Sequence, residues 1–361
     1  MNPNPFVGVL YHWTGGLSAA SCYLPFRAIR QWSWEIYWLL QGVFSWIVAP
    51  SLFAAILVPG WVGTLHGAPG QSLFYAWFWG AMWGIGGLTF GLGVRYLGVA
   101  LGYTIALGFS TAFGTLMPPL FAGEMGAVVR ERSGQVILAG VATCLAAIVV
   151  SGAAGWRKEA ELAVHRVKDE SVKEFSYKKG LVVATFAGVM SACFAYGLAA
   201  AKPVDALARV QLATHGRSDL WQHLPALVVV LWGGFTTNFL WCGWLLVKNR
   251  SAGEFVGRVT EGPRIAGRVM ALNVAASAAA GLLWYLQFFF YSMGQTKMGR
   301  YDFSSWTLHM AGTILFATLW GVVLHEWKGT GRGTRWLGAV GFLLLVMSTV
   351  IVGYGNYLKA Q

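Results

Sequence analysis

The chain has 361 residues, of which 56% are apolar and only 11% charged. A soluble domain carries about 25% charged residues, so these proportions exclude a soluble fold and point to a chain that crosses a bilayer many times. The formal charge of +12 would suit a nucleic-acid binder in a soluble protein. Here the basic residues sit in loops between apolar runs, so membrane topology accounts for them and no nucleic-acid partner is expected.

Ten runs of about 20 apolar residues are each long enough to cross ~30 Å of hydrocarbon. In chain order they cover 5–26, 35–58, 73–96, 98–121, 135–154, 180–201, 224–247, 269–291, 304–326 and 336–357. The first run carries His12, and because Met1 to Pro5 hold no Lys or Arg, it is expected to remain as a span. The second opens at Glu35. The third holds Trp83 and the pairs Gly80/Gly84 and Gly87/Gly91, and the fourth opens on Gly98/Gly102. Such spacing lets helix backbones approach closely, as a fixed seam or as a moving gate. Pro118-Pro119 in the fourth run and Pro225 in the seventh are expected to kink or end their helices. The eighth run carries Trp284 and Gln287; the ninth holds His309, with Asp302 just ahead of it and Glu326 at its end. Glu35 and Glu326, beside arginine and lysine, are expected to form salt bridges to the loops. Cys22, Cys144, Cys193 and Cys242 lie inside apolar runs with no CxxC spacing, so they read as small buried hydrophobes. No metal site or cofactor is expected.

The one long polar stretch, 155–179, is expected to be a cytoplasmic connecting loop between a first repeat over 1–154 and a second over 180–361. The halves echo each other. Gly15, Ser18, Ala19 and Tyr23 recur with the same spacing as Gly188, Ser191, Ala192 and Tyr196. Gly80, Trp83, Phe90, Gly93 and Gly98 likewise match Gly281, Trp284, Tyr291, Gly294 and Gly299. A duplicated unit of five spans must enter the membrane the opposite way round, the construction of many secondary transporters. The chain contains no GxxxxGK[ST] segment to use ATP, so a gradient is the expected driving force. Of the 26 basic residues, 18 fall in loops after odd-numbered spans and 8 on the other side, which puts both termini outside.

Several segments resemble the L-rhamnose–proton symporter family of the drug/metabolite transporter superfamily. They are Trp32-Ser33-Trp34-Glu35, Gly80 to Gly86, Arg95-Tyr96-Leu97-Gly98, Trp284 to Tyr291, Tyr301-Asp302, Trp306, Leu308-His309-Met310 and Glu326-Trp327. The resemblance implies an all-α integral membrane protein with ten transmembrane helices as two inverted five-helix repeats. It further implies residence in a bacterial inner membrane and uptake of a 6-deoxyhexose with a proton. The family pattern leads one to expect asparagines where this chain has Gly87-Leu88-Thr89.

A pyranose presents hydroxyl edges and apolar C–H faces, so its site needs a few hydrogen-bonding groups and aromatic surface shielded from lipid. At 1.5 Å per helical residue, His12 lies roughly 10 Å below the outer end of its span, Trp83 about 15 Å, Gln287 about 6 Å and His309 about 7 Å. These residues and Trp284 are the candidate sugar-binding set. Gln287 either faces the sugar or forms an interhelical hydrogen bond, and any of the 19 tryptophans can instead face lipid. For the proton, His309, Asp302 and His12 are the candidates, because a group that changes charge must lie on the transport path. Asp302 stands seven residues before His309, two turns along one helical face; alternatively it pairs with Arg300 or Lys297 at the surface. The expected function is L-rhamnose import with a proton by alternating access. The alternatives are transport of another small sugar or metabolite, or a membrane-embedded enzyme, for which no catalytic cluster is visible.

Overall fold

The computed structural model describes residues 3–97, 99–163, 177–258 and 264–360, which form helices joined by turns and short irregular segments, with no strand among the described residues. Ten long helices occupy the expected runs: α1 Pro5–Ser21, α2 Trp34–Leu57, α3 Gly70–Leu97, α4 Val99–Phe121, α5 Arg132–Ala163, α6 Tyr177–Ala200, α7 Leu224–Lys248, α8 Gly267–Met298, α9 Ser305–Val323 and α10 Arg332–Ala360. Among the described residues, the eight of these other than α1 and α3 are long and apolar enough to cross a membrane. α1 has only 17 residues, and α3, although 28 residues long, is diluted by glycine and tryptophan.

Both ends of the expected 155–179 connector prove helical: α5 continues to Ala163 and α6 begins at Tyr177. Residues 164–176 of that stretch, together with Gly98, lie outside the described residues. Pro225 stands in the first turn of α7, where its missing N–H costs nothing. Pro118 and Pro119 lie in the last turn of α4, so they end a span rather than kink one. The prolyl residue that reshapes a helix is Pro50. It cannot donate to the preceding turn, and α2 widens into a π-helical stretch over Val43–Val48 just before it.

Packing follows the glycines. α3 lies against α6 and α7, α8 lies against α1 and α2, and α4 and α9 pack against α6 and α1 respectively. A Cβ at Gly80 would land on the Val230 carbonyl oxygen, and one at Gly84 on Thr237 Oγ1. This glycine pair is a packing seam between α3 and α7. Gly102 closes on Val94 of α3, whereas Gly87 and Gly91 have open space where a side chain would sit. All four cysteines are free and buried.

The segment after α7 is strapped to the start of α2. Glu254 accepts from the Ser33 backbone N–H and hydroxyl, both at 2.6 Å, and its carbonyl accepts from Trp32 Nε1 at 3.1 Å. Arg250, in the left-handed region at φ +54°, turns the chain so that Asn249 Nδ2 and Ser251 Oγ donate to Glu35 Oε1 at 2.9 and 2.7 Å. Glu35 is thus buried and held by neutral donors, with no salt bridge of the expected kind among the described residues, because this turn brings an amide and a hydroxyl to it. Glu326 does pair with Lys158 at 3.3 Å and Arg27 at 3.8 Å. Glu254→Ala should remove about 2 kcal/mol, the worth of a charge-assisted hydrogen bond. A lowered melting midpoint of the detergent-solubilised protein checks this.

Candidate functional site

Both groups of five helices line a cavity of about 200 Å³. α1 and the turn after it supply Ala19 and Tyr23, α2 supplies Trp38 and Trp46, and α3 supplies Trp83, Gly84, Gly87 and Phe90. From the other half come Ser191 of α6, Asn238 of α7, Trp284 and Gln287 of α8, and Trp306 and His309 of α9. Trp284 meets Trp38 at 6.0 Å and Trp46 at 6.4 Å between ring centroids, and Trp46 meets Trp83 at 6.1 Å, all edge to face. The widened turn of α2 carries Trp46 into this corner. Indole faces of this kind suit the apolar face of a sugar ring.

The polar groups are few and incompletely paired. His309 Nε2 lies 3.3 Å from Gln287 Oε1; since that oxygen only accepts, the imidazole donates and its Nδ1 is left as an acceptor. His309 Nδ1, Gln287 Nε2 and the indole nitrogens of Trp46 and Trp284 are buried without a hydrogen-bond partner among the described residues. Buried polar groups are normally paired, yet one acceptor and three donors on residues around the cavity are left without a partner. Trp38 Nε1 is already spent on Asn238 Oδ1 at 3.0 Å.

Four of the five sugar-site candidates, Trp83, Trp284, Gln287 and His309, therefore share one cavity. His12 does not line it. Its ring is fully buried against Tyr291, 5.3 Å between centroids, and over Gly294. The face of α1 that reaches the cavity lies further along, at Ala19 and Tyr23. Gln287 is also deeper than the sequence run implies: α8 continues to Met298, which places it roughly 17 Å from that helix end. Trp38, Trp46 and Asn238 are lining residues that sequence reasoning missed. Tryptophans are too many to choose among by composition, and Asn238, the one amide among the apolar residues of its run, was the available signal.

Asp302 is not on the His309 face. It sits in a 3-10 turn, Gly299–Ser304, ahead of α9, and the tighter winding of that turn breaks the helical register between the two. It borders a second pocket, of about 300 Å³, with Lys202, Asp205, Arg209, His223 and Gln295. Lys202, Asp205 and Arg209 come from a linker helix, Lys202–Thr214, whose Val204, Ala208 and Leu212 are buried. That spacing of four was the legible sign of a helix in a segment read as a loop. His223 Nδ1 bonds Asp205 Oδ2 at 2.8 Å. Burial pushes the Asp205 carboxyl above the ordinary aspartate range, against the pull of His223, Arg209 and Lys202.

The two spaces are stacked. Four helical segments each give a residue to the cavity and, one turn away, a residue to the pocket: Ser110 and Gly114, Ser191 and Ala195, Gln287 and Tyr291, Trp306 and Asp302. Between them lies an aromatic layer in which Phe194 stacks on Trp306 at 5.6 Å and Tyr291 meets Trp306 at 6.0 Å. All three rings are buried. At the opposite end the cavity reaches Tyr23 and Tyr103, which are 48% and 41% exposed. An aromatic layer thus separates the cavity from the charged pocket, and the Tyr23–Tyr103 end lies on the far side of the cavity.

A family model described as L-rhamnose-proton symport protein matches residues 1–357. The chain is 36% identical over 350 residues to a protein of Cronobacter sakazakii named L-rhamnose-proton symporter, with 97% of each chain covered. Proteins of the same name from Citrobacter koseri and Shigella dysenteriae are 34% and 35% identical over the same share. With its helical bundle, its aromatic cavity and a match along nearly its whole length, the chain belongs to the L-rhamnose-proton symport protein family.

Proposed function

We propose that the chain imports L-rhamnose together with a proton across the bacterial inner membrane, as ten spans in two inverted five-helix units, residues 1–154 and 180–361. The observation that carries this reading is the cavity shared by both units, with indole walls and unpaired donors and an acceptor sized for a small polyol. The packing supports the repeat. Exchanging α1–α5 with α6–α10 turns the α3–α6 and α3–α7 contacts into α8–α1 and α8–α2, which also exist. The matched glycines act alike: Gly80 abuts α7 at Val230, and Gly281 abuts α2 at Gln41 and Phe44.

With both termini outside, the charged pocket faces the outer solution and the Tyr23–Tyr103 end faces the cytoplasm. The structure is then the inward-facing state. Rhamnose stacks against Trp83 and Trp284, and its hydroxyls bond Gln287 and His309; His12 supports Tyr291 from behind. In proteoliposomes, an imposed inward proton gradient should drive rhamnose above its equilibrium level, and a protonophore should return it to equilibrium. Accumulation that ignores the gradient would refute proton coupling.

A second reading, a related sugar with a larger substituent, is favoured by Gly87, which lines the cavity with open space where a side chain would stand. Competition of rhamnose uptake by a panel of hexoses and deoxyhexoses separates the two. Rhamnose should compete best, and a hexose with a full C6 hydroxymethyl competing better selects the second.

A further inference from the structure

A coupling proton needs a resting place: a titratable group reachable from water, with a counter-charge to stabilise the protonated form. A buried imidazolium without a carboxylate is costly, and neither His12 nor His309 is bonded to one among the described residues. The charged pocket has what they lack. Asp205 and His223 are bonded to each other and both nearly buried, yet they border open space. Asp205 Oδ1 is buried with no hydrogen-bond partner among the described residues, so the carboxylate is left only half satisfied at the edge of that space. A pair serving only to pin the linker helix to α7 would leave neither the unpaired oxygen nor the pocket.

The remaining groups set the charge. Lys202 and Arg209 face Asp205 from its own helix, and Asp302 faces His223 from the turn before α9. Arg209 Nε donates to Gln222 Oε1 at 2.7 Å, and Gln295 Nε2 approaches Asp302 Oδ2 at 3.4 Å. Two cations and two carboxylates balance when the imidazole is neutral, and one added proton makes the cluster +1.

We infer that Asp205 and His223, with Asp302 beside them, form the site that takes up the coupling proton, one helical turn outside the sugar cavity; this rests on the proton-driven reading above. The proton comes from the outer solution and is held between the Asp205 carboxylate and the His223 imidazole. Tyr291 borders this pocket and packs against His309, 5.5 Å between ring centroids, so the charge of the cluster and the occupancy of the cavity act on the same aromatic layer. When that layer parts, the N–H bond on the pair breaks and the proton passes to water entering from the far end of the cavity, so that no unpaired imidazolium has to form at His309. The pair returns to its starting charge, and the proton leaves with the sugar.

The test uses full-length protein in proteoliposomes, with wild type, Asp205→Asn, His223→Gln and Asp205→Glu. Gradient-driven accumulation of rhamnose and gradient-free exchange of rhamnose across the membrane are measured side by side. Asp205→Asn and His223→Gln should cut accumulation by about tenfold or more, the size of a typical coupling energy, flatten its dependence on external pH and keep exchange. Asp205→Glu should restore accumulation. Wild-type accumulation in both neutral variants would overturn the assignment, and so would loss of exchange along with accumulation, since that marks a structural role. A wild type that ignores the gradient would overturn the proton-driven reading as well, which tells the two failures apart.

Discussion

Gln287→Ala is expected to raise the KM for rhamnose by about 10- to 100-fold and also to lower the melting midpoint, because one truncation both removes a donor to the sugar and orphans its protein partner. In the intact site Gln287 Oε1 lies 3.3 Å from His309 Nε2, and its Nε2 is buried at the cavity wall without a partner among the described residues. The variant leaves the His309 N–H buried with nothing to donate to, a cost of about 1–3 kcal/mol, in addition to the lost bond to a sugar hydroxyl. Uptake kinetics and a fluorescence titration of the cavity tryptophans measure the effect. A purely interhelical role for the amide predicts the same loss of stability with an unchanged KM.

Gly80→Leu should have the largest effect on stability. Its Cβ would occupy the position of the Val230 carbonyl oxygen. A backbone atom cannot swing aside as a side chain can, so α3 and α7 must separate and lose contact along their length, at a cost of about 3 kcal/mol or more. Gly281→Leu should do the same between α8 and α2, where Gln41 and Phe44 stand in the way. Gly91→Ala on the same helix as Gly80 meets nothing within 4 Å and should stabilise by about 0.5–1 kcal/mol through helix propensity. Recovery of monodisperse protein in detergent and its melting midpoint check all three. Equal loss in all three would show that glycine itself, not close packing, is what matters.

The linker helix makes the aqueous pocket as consequential as the membrane cavity. Burial holds its Asp205 carboxyl above the ordinary aspartate range; if this cluster is the outward-facing proton site proposed above, rhamnose accumulation should rise as the outer pH falls until the pair is saturated. Uptake at fixed gradient and varied outer pH shows this.

The amino-acid sequence alone determined where the ten long apolar helices form, because bilayer thickness fixes the length of an apolar run; the linker helix over Lys202–Thr214 is amphipathic and escaped that criterion. The sequence also singled out Trp83 and Trp284, at matching positions of the two halves, with Gln287 and His309 as polar groups inside apolar runs, and the structure brings these four to one cavity. The family was legible as motifs spread in order along the chain. Only the tertiary structure decided which face each residue presents. His12 turned to Tyr291 because the α1 glycines lie against α8 and α9, and Asp302 left the His309 face because a 3-10 turn changes the winding. Glu35 found an amide and a hydroxyl because Arg250 reverses the chain beside it. The Asp205–His223 pair joins residues 18 apart on two different helical segments. Hydropathy reports how deep a residue can sit, whereas its partners depend on helix rotation and close approach, which arise only when the helices pack.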